Sequence, residues 1–191
     1  MLTIKYILLT ALLLVLCSPG FVIPKEKEFK EYEVKAVFLE RFTRFIEWPD
    51  IDPSDMSRAD DQSKTFIIAL IGKNPFGGIL DRIYAERKIK GRAVEIRYVV
   101  DEKDIFPCHI LFVSQYNKDN LSRILSLTRD KPILTVSDCQ GFAEQGVLIN
   151  FFLDARRVRF EINESAVRKS GLKMSFHLLR SAKIINPIKE R

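Results

Sequence analysis

Two histidines and three cysteines among 191 residues leave little material for a metal centre or a catalytic dyad. Cys108, His109, Cys139 and His177 lack the local spacing of a zinc set, and three of them fall on separate predicted elements. Cys108 and His109 are adjacent on a predicted strand, so their side chains point to opposite faces and cannot form a thiolate–imidazole pair. The chain also lacks the phosphate-cradling glycine patterns. Its one glycine-containing turn between strand and helix, IGKNPFGG, fits neither GxxxxGK[ST] nor GxGxxG, and Pro75 removes a backbone donor that a phosphate would use. A clustered basic face interleaved with aromatics is missing too, which argues against nucleic acid. The formal charge of +6 is spread over residues such as Arg41, Arg87, Lys90 and Arg156. A solvated surface is the simplest account, with attraction to an acidic partner or anionic headgroups left open.

Apolar runs long enough to span a bilayer are likewise absent. The longest, Tyr6 to Cys17, is a dozen residues, against the ~20 a span requires. With Lys5 before it and Ser18-Pro19-Gly20 after it, residues 1–20 read as a cleaved export signal. Leu16 is too bulky to precede a lipidated Cys17. Residues 21–30 read as a flexible lead-in, 31–186 as one domain and 187–191 as a frayed tail. Export leaves Cys108 and Cys139 in an oxidising compartment, where pairing is common. The predicted topology puts one before a strand and the other past the end of a parallel strand, beyond the ~7 Å reach of a disulfide. Both are expected unpaired.

What remains is core material: 47% of residues are hydrophobic, 14 of them Phe. Val34, Val37, Phe38, Phe42, Phe45 and Ile46 recur at helical spacing, with Lys35 and Glu40 on other faces, and Trp48-Pro49 should end this helix. Asp50 to Lys64 reads as an exposed loop. Phe66–Ile71, Ile110–Val113 and Ile133–Val136 are short, β-branched and nearly continuous, as suits strands covered on both faces. Val94 to Val100 alternates as a strand should. Asn74 and Pro75 are placed to start a helix over Phe76–Tyr84. Leu121, Ile124, Leu125 and Thr128 mark another, making a right-handed strand–helix–strand crossover.

Past Gly146, Val147–Leu153 and Arg157–Ile162 read as an antiparallel hairpin at the sheet edge. Asn163 caps a short helix that Gly171 ends, and Ser175 opens a last helix striped by Met174, Leu178, Ala182 and Ile185. The fold class is α/β, a Rossmann-like three-layer sandwich with a mostly parallel sheet. In the hairpin Arg157, Arg159 and Glu161 share one face; charges there blunt an edge, or, with Asn150 and Asn163, contact a partner. Asp138 lies at the carboxyl end of a strand, where such sheets bind ligands. A cap on the turn Cys139-Gln140-Gly141 is its simpler role.

The segments VKAVFLERFTRFIEWP, IGKNPFG, CHILFVS, PILTVSD…GFAEQG and INFFLDARRVRFEIN, in that order, resemble the YfiR family. The resemblance spans roughly Glu33 to Ile185. It implies a small periplasmic α/β protein of Gram-negative bacteria, and the missing nucleophile–base pair and metal set add the expectation of a non-enzymatic, cofactor-free one. Such a protein restrains an inner-membrane diguanylate cyclase, lowering cyclic-di-GMP and biofilm formation. It is not inserted in the membrane after signal cleavage, and a homodimer is left open. The alternative is a periplasmic small-ligand sensor using the pocket near Asp138 and feeding a histidine kinase or transporter. The family's usual hairpin turn is Asp-Gly. Asp154-Ala155 stands here, and because Ala resists positive φ a longer or bulged loop is expected.

Overall fold

The computed structural model describes residues 25–49 and 65–185, and side chains from Lys30 onward within them. The expected signal segment, the loop from Asp50 to Lys64 and the tail from Asn186 lie outside the described residues. The chain runs α1 (Lys25–Phe45), β1 (Ile46–Glu47), β2 (Thr65–Ile71), α2 (Ile79–Tyr84), β3 (Lys88–Ile89), β4 (Arg92–Val99) and β5 (Ile110–Val113). It continues α3 (Leu121–Thr128), β6 (Leu134–Ser137), α4 (Phe142–Gln145), β7 (Ile149–Asp154) and β8 (Arg157–Asn163). It closes with α5 (Glu164–Ser170), β9 (Lys173–Met174), α6 (Phe176–Ser181) and β10 (Lys183–Ile185). Eight strands form one sheet in the order β10-β8-β7-β6-β5-β2-β4-β3, while β1 and β9 pair separately. Only β3/β4 and β7/β8 are antiparallel within it.

Period-two alternation along the strands divides the core into two layers. Phe66, Ile68 and Leu70 of β2 join α1, α2, α5 and α6 in one cluster. Ile67, Ala69 and Ile71 join α3 and α4 in the other. This is the three-layer α/β sandwich that the short β-branched runs imply. At the end of β2 the chain turns at Gly72 with φ +89, where a side chain would also run into Asn117 and Ser114.

Several local expectations are corrected. The buried face of α1 is rotated relative to the predicted stripe: Phe42 is buried as expected, but Ala36 and Leu39 join it, whereas Val34, Val37 and Phe45 are exposed; Ile46 is buried in β1. Lys35, expected outside, is buried. The helix includes residues 25–30, which were expected to be a lead-in. Two long-range hydrogen bonds fix where it ends. Ser175 N–H donates to the Phe45 carbonyl at 2.8 Å, and Trp48 Nε1–H donates to the His109 carbonyl at 3.3 Å. Asn74 does not cap α2, which starts at Ile79 after Gly78. Its Oδ1 instead accepts from Phe76 N–H and its Nδ2 donates to the Gly77 carbonyl, both at 2.8 Å, organising the turn. The last helix stops at Ser181, and Lys183–Ile185 becomes a strand parallel to β8. The β7–β8 hairpin therefore sits one strand inside the edge.

The hairpin turn is tight despite its sequence. Asp154 pairs with Arg157, leaving only Ala155 (φ 45) and Arg156 (φ 66) between the strands. Burial of Ile149, Phe151, Phe160 and Ile162 on one face fixes the register. A one-residue slip would turn all four outward, so packing overrides the reluctance of alanine and arginine to take positive φ. Replacing Ala155-Arg156 by Asn-Gly is expected to stabilise the domain by about 1 kcal/mol, read as a raised urea midpoint at unchanged slope.

Candidate functional site

The candidate site follows from unequal strand lengths. β6 ends at Ser137, while its neighbour β7 starts opposite Val136 and runs on to Asp154. The β7–β8 hairpin thus overhangs the carboxyl end of β6, and Asp138 lies at the foot of that wall. α4, bracketed by Gly141 (φ 82) and Gly146 (φ 122), adds Glu144 to the same lining. The resulting cleft has a volume of about 530 Å³ and is lined by Glu31, Lys35, Asp138, Glu144, Asn150 and Glu161 among others.

Asp138 does not cap the turn after it; Ser137 Oγ accepts from Cys139 N–H at 3.3 Å in that role. Asp138 Oδ2 accepts instead from Lys35 Nζ and from the Tyr32 hydroxyl, each at 2.7 Å. Glu31, one turn before Lys35, holds the same ammonium at 2.6 Å. Lys35 Nζ also lies 4.2 Å from the centroid of the Tyr32 ring. Removing an ammonium from water costs several kcal/mol, which here is offset by two carboxylates and a ring face. The group ties the N-terminal half of α1 to the end of β6. Opposite, Asn150 and Glu161 face each other across the hairpin, with Asn150 Nδ2 donating to Glu161 Oε1 at 3.2 Å. Lys183 on β10 donates to the other Glu161 oxygen at 3.3 Å.

The structure therefore gathers Asp138, Asn150 and Glu161 around one cleft and separates them from the other expected residues. Arg157 and Arg159 are exposed on the outer half of β8, opposite Asp154 and Phe152. Asn163 is turned to internal use: its Oδ1 accepts from Ala166 N–H at 2.9 Å and its Nδ2 donates to the Ala143 carbonyl at 2.8 Å. With both amide atoms spent on the fold, it has nothing left to offer a partner. Sequence reasoning missed Glu31, Tyr32, Lys35, Glu144 and Lys183. A signal for Lys35 existed. Tyr32, Lys35, Leu39, Phe42 and Ile46 form a second helical stripe, in which one lysine interrupts large side chains.

Cys108 and Cys139 are free thiols. Cys108 is buried in the α3–α4 layer, and burial pushes its pKa up to about 12; burial also raises that of the half-exposed Cys139. His109 points to the other face, stacked 4.5 Å from Phe66, and its Nδ1 accepts from Ile67 N–H at 3.0 Å. Because only thiolate reacts, a thiol pKa near 12 leaves on the order of 1 in 10⁴ of Cys108 ionised at pH 8. Iodoacetamide at that pH is expected to label Cys139 slowly and Cys108 only after denaturation, as peptide mass mapping would read. Among the described residues, no group of three His, Cys, Asp or Glu is placed to hold a metal ion. No helix among them is long and apolar enough to cross a membrane.

A YfiR/HmsC-like family profile matches residues 32–183, which take in the hairpin and every named residue of the cleft except Glu31. The chain belongs to the YfiR/HmsC-like family. No curated protein matches it in sequence. Among solved structures, one described as the ABC domain in complex with L-Trp from Streptococcus pneumonia is similar at 14% identity and a TM-score of 0.48. That match covers 64% of this chain and 55% of the other, so this YfiR/HmsC-like chain spans just over half its length.

Proposed function

We propose that this YfiR/HmsC-like domain is a periplasmic regulator that binds the periplasmic sensor part of an inner-membrane diguanylate cyclase and holds the cyclase inactive. Family membership over residues 32–183 carries the reading. The surface that suits it is the β7–β8 hairpin. Arg157 and Arg159 stand exposed on β8, and Leu153 is 53% exposed near the tip. An apolar tip flanked by cations suits an acidic-rimmed partner surface, where the charges steer the encounter and the apolar contact slows release. Inhibition then follows as a population shift. The bound regulator lowers the free energy of the cyclase's inactive state by its preference for that state, so cyclic-di-GMP falls, and biofilm formation with it.

The test is capture from detergent-solubilised inner membranes on immobilised domain, with mass spectrometry of the retained proteins. Recovery of a membrane protein with a cyclase domain is the expected result. The Arg157→Glu/Arg159→Glu variant should retain at least tenfold less at an unchanged melting temperature, because both side chains are exposed. Undiminished capture by this variant would move the interface elsewhere, and failure to recover any cyclase would remove the reading. The second reading, a small-ligand sensor, is favoured by the cleft of about 530 Å³ at the carboxyl end of β6.

A further inference from the structure

We infer that the cleft between Asp138 and the β7–β8 hairpin is a binding site for an organic cation, an ammonium or guanidinium group. The orientation of the Asn150 amide is the first reason. Its Nδ2 donates to Glu161 Oε1, and a flipped amide would set a carbonyl oxygen against that carboxylate. Asn150 Oδ1 is therefore held as an acceptor. It is buried, on a residue only 1% exposed, and has no partner among the described residues. Glu144 Oε2, from α4 on the same cleft, is a second buried acceptor without a partner among them. Buried acceptors are rarely left unpaired, and two on one cavity call for a donor from outside.

Charge selects the donor. Glu31, Asp138, Glu144 and Glu161 line the cleft against only Lys35 and Lys183. Lys35 is engaged by Glu31 and Asp138, and Lys183 by Glu161. The Glu144 charge has no cation of its own among the described residues, so the cleft is left net negative. An anion entering it would meet uncompensated carboxylate, whereas an N–H-bearing cation offers the missing charge and the missing hydrogen bonds together. Such a group can come from a freely diffusing amine or from a lysine or arginine of a docked protein.

This inference rests on the reading of the domain as a binding module, but not on the identity of its membrane partner. Calorimetric titration of the purified protein with agmatine, with Nα-acetyl-arginine amide and with glutarate as the anionic control tests it directly. Saturable one-to-one binding of at least one cation and none of glutarate is expected. Glu144→Gln, which keeps size and shape, should weaken the cation at least tenfold. Lys183→Met removes a competing ammonium and should tighten it severalfold, an effect that misfolding cannot imitate. Tighter binding of agmatine than of the amide would assign the site to a free amine; the reverse would assign it to a side chain presented by a protein. No binding of either cation, comparable binding of glutarate, or an unchanged affinity in Glu144→Gln overturns the inference. Because the titration contains no membrane protein, its failure leaves docking on the cyclase to be judged by the capture experiment alone.

Discussion

Replacing Lys35 with methionine is expected to destabilise the domain by about 3 kcal/mol, within the range for removing one partner of a buried ion pair. Methionine keeps an unbranched apolar stem and removes the ammonium, with its two ion pairs and its place over the Tyr32 ring. Asp138, with a side chain 12% exposed, would keep the Tyr32 hydroxyl as its partner and lose the ammonium 2.7 Å away. Glu31, at 25% exposure, can turn to water and contributes less of the loss. The decisive measurement is a double-mutant cycle with Asp138→Asn by urea denaturation. The two changes should cost less together than the sum of their separate costs, with a coupling above about 1 kcal/mol. Additive effects, each below about 1 kcal/mol, would mean that the pair behaves like a solvated one on the surface.

Phe42→Ala should be the most damaging truncation on α1, at about 3–5 kcal/mol. Phe42 is 1% exposed, and its ring lies 5.0 Å from Phe160, 5.7 Å from Phe151 and 5.9 Å from Phe38. Deleting it would open a cavity between the helix and the hairpin, where three large rings leave few small side chains to relax into the space. Phe45→Ala, three residues along, should cost less than about 1 kcal/mol, because Phe45 is already 40% exposed. Equal costs at the two positions would contradict the observed rotation of α1. The contrast also bears on the cleft. Loosening α1 against β7 and β8 would relax the wall facing Asp138, so Phe42→Ala should weaken any ligand of the cleft as well as the fold.

The strands were legible because their residues carry the answer locally. Phe66–Ile71 and Ile110–Val113 are short, continuously apolar and rich in Ile and Val, as suits strands buried on both faces. The caps at Asn163 and Ser175 were equally readable, since each side chain accepts a hydrogen bond from a backbone N–H three residues ahead. Helix α1 misled because it has apolar residues on two stripes, so periodicity alone could not say which stripe meets the sheet. Lys35 joins the buried stripe only because Glu31 and Asp138 neutralise it, and Asp138 is 103 residues away. No pattern within one helix contains that information.

The amino-acid order by itself determined an α/β sandwich, the family to which the chain belongs and the place of Asp138 at a strand end, because alternation, capping and motif order are properties of neighbouring residues. Only the tertiary structure decided which face of α1 is inside, that Ala155-Arg156 closes a two-residue turn, that β10 covers the hairpin edge, and that Asp138, Asn150 and Glu161 meet at one cleft. Each of these depends on which distant side chain is available to accept a charge or fill a volume, and that choice is made when the layers pack.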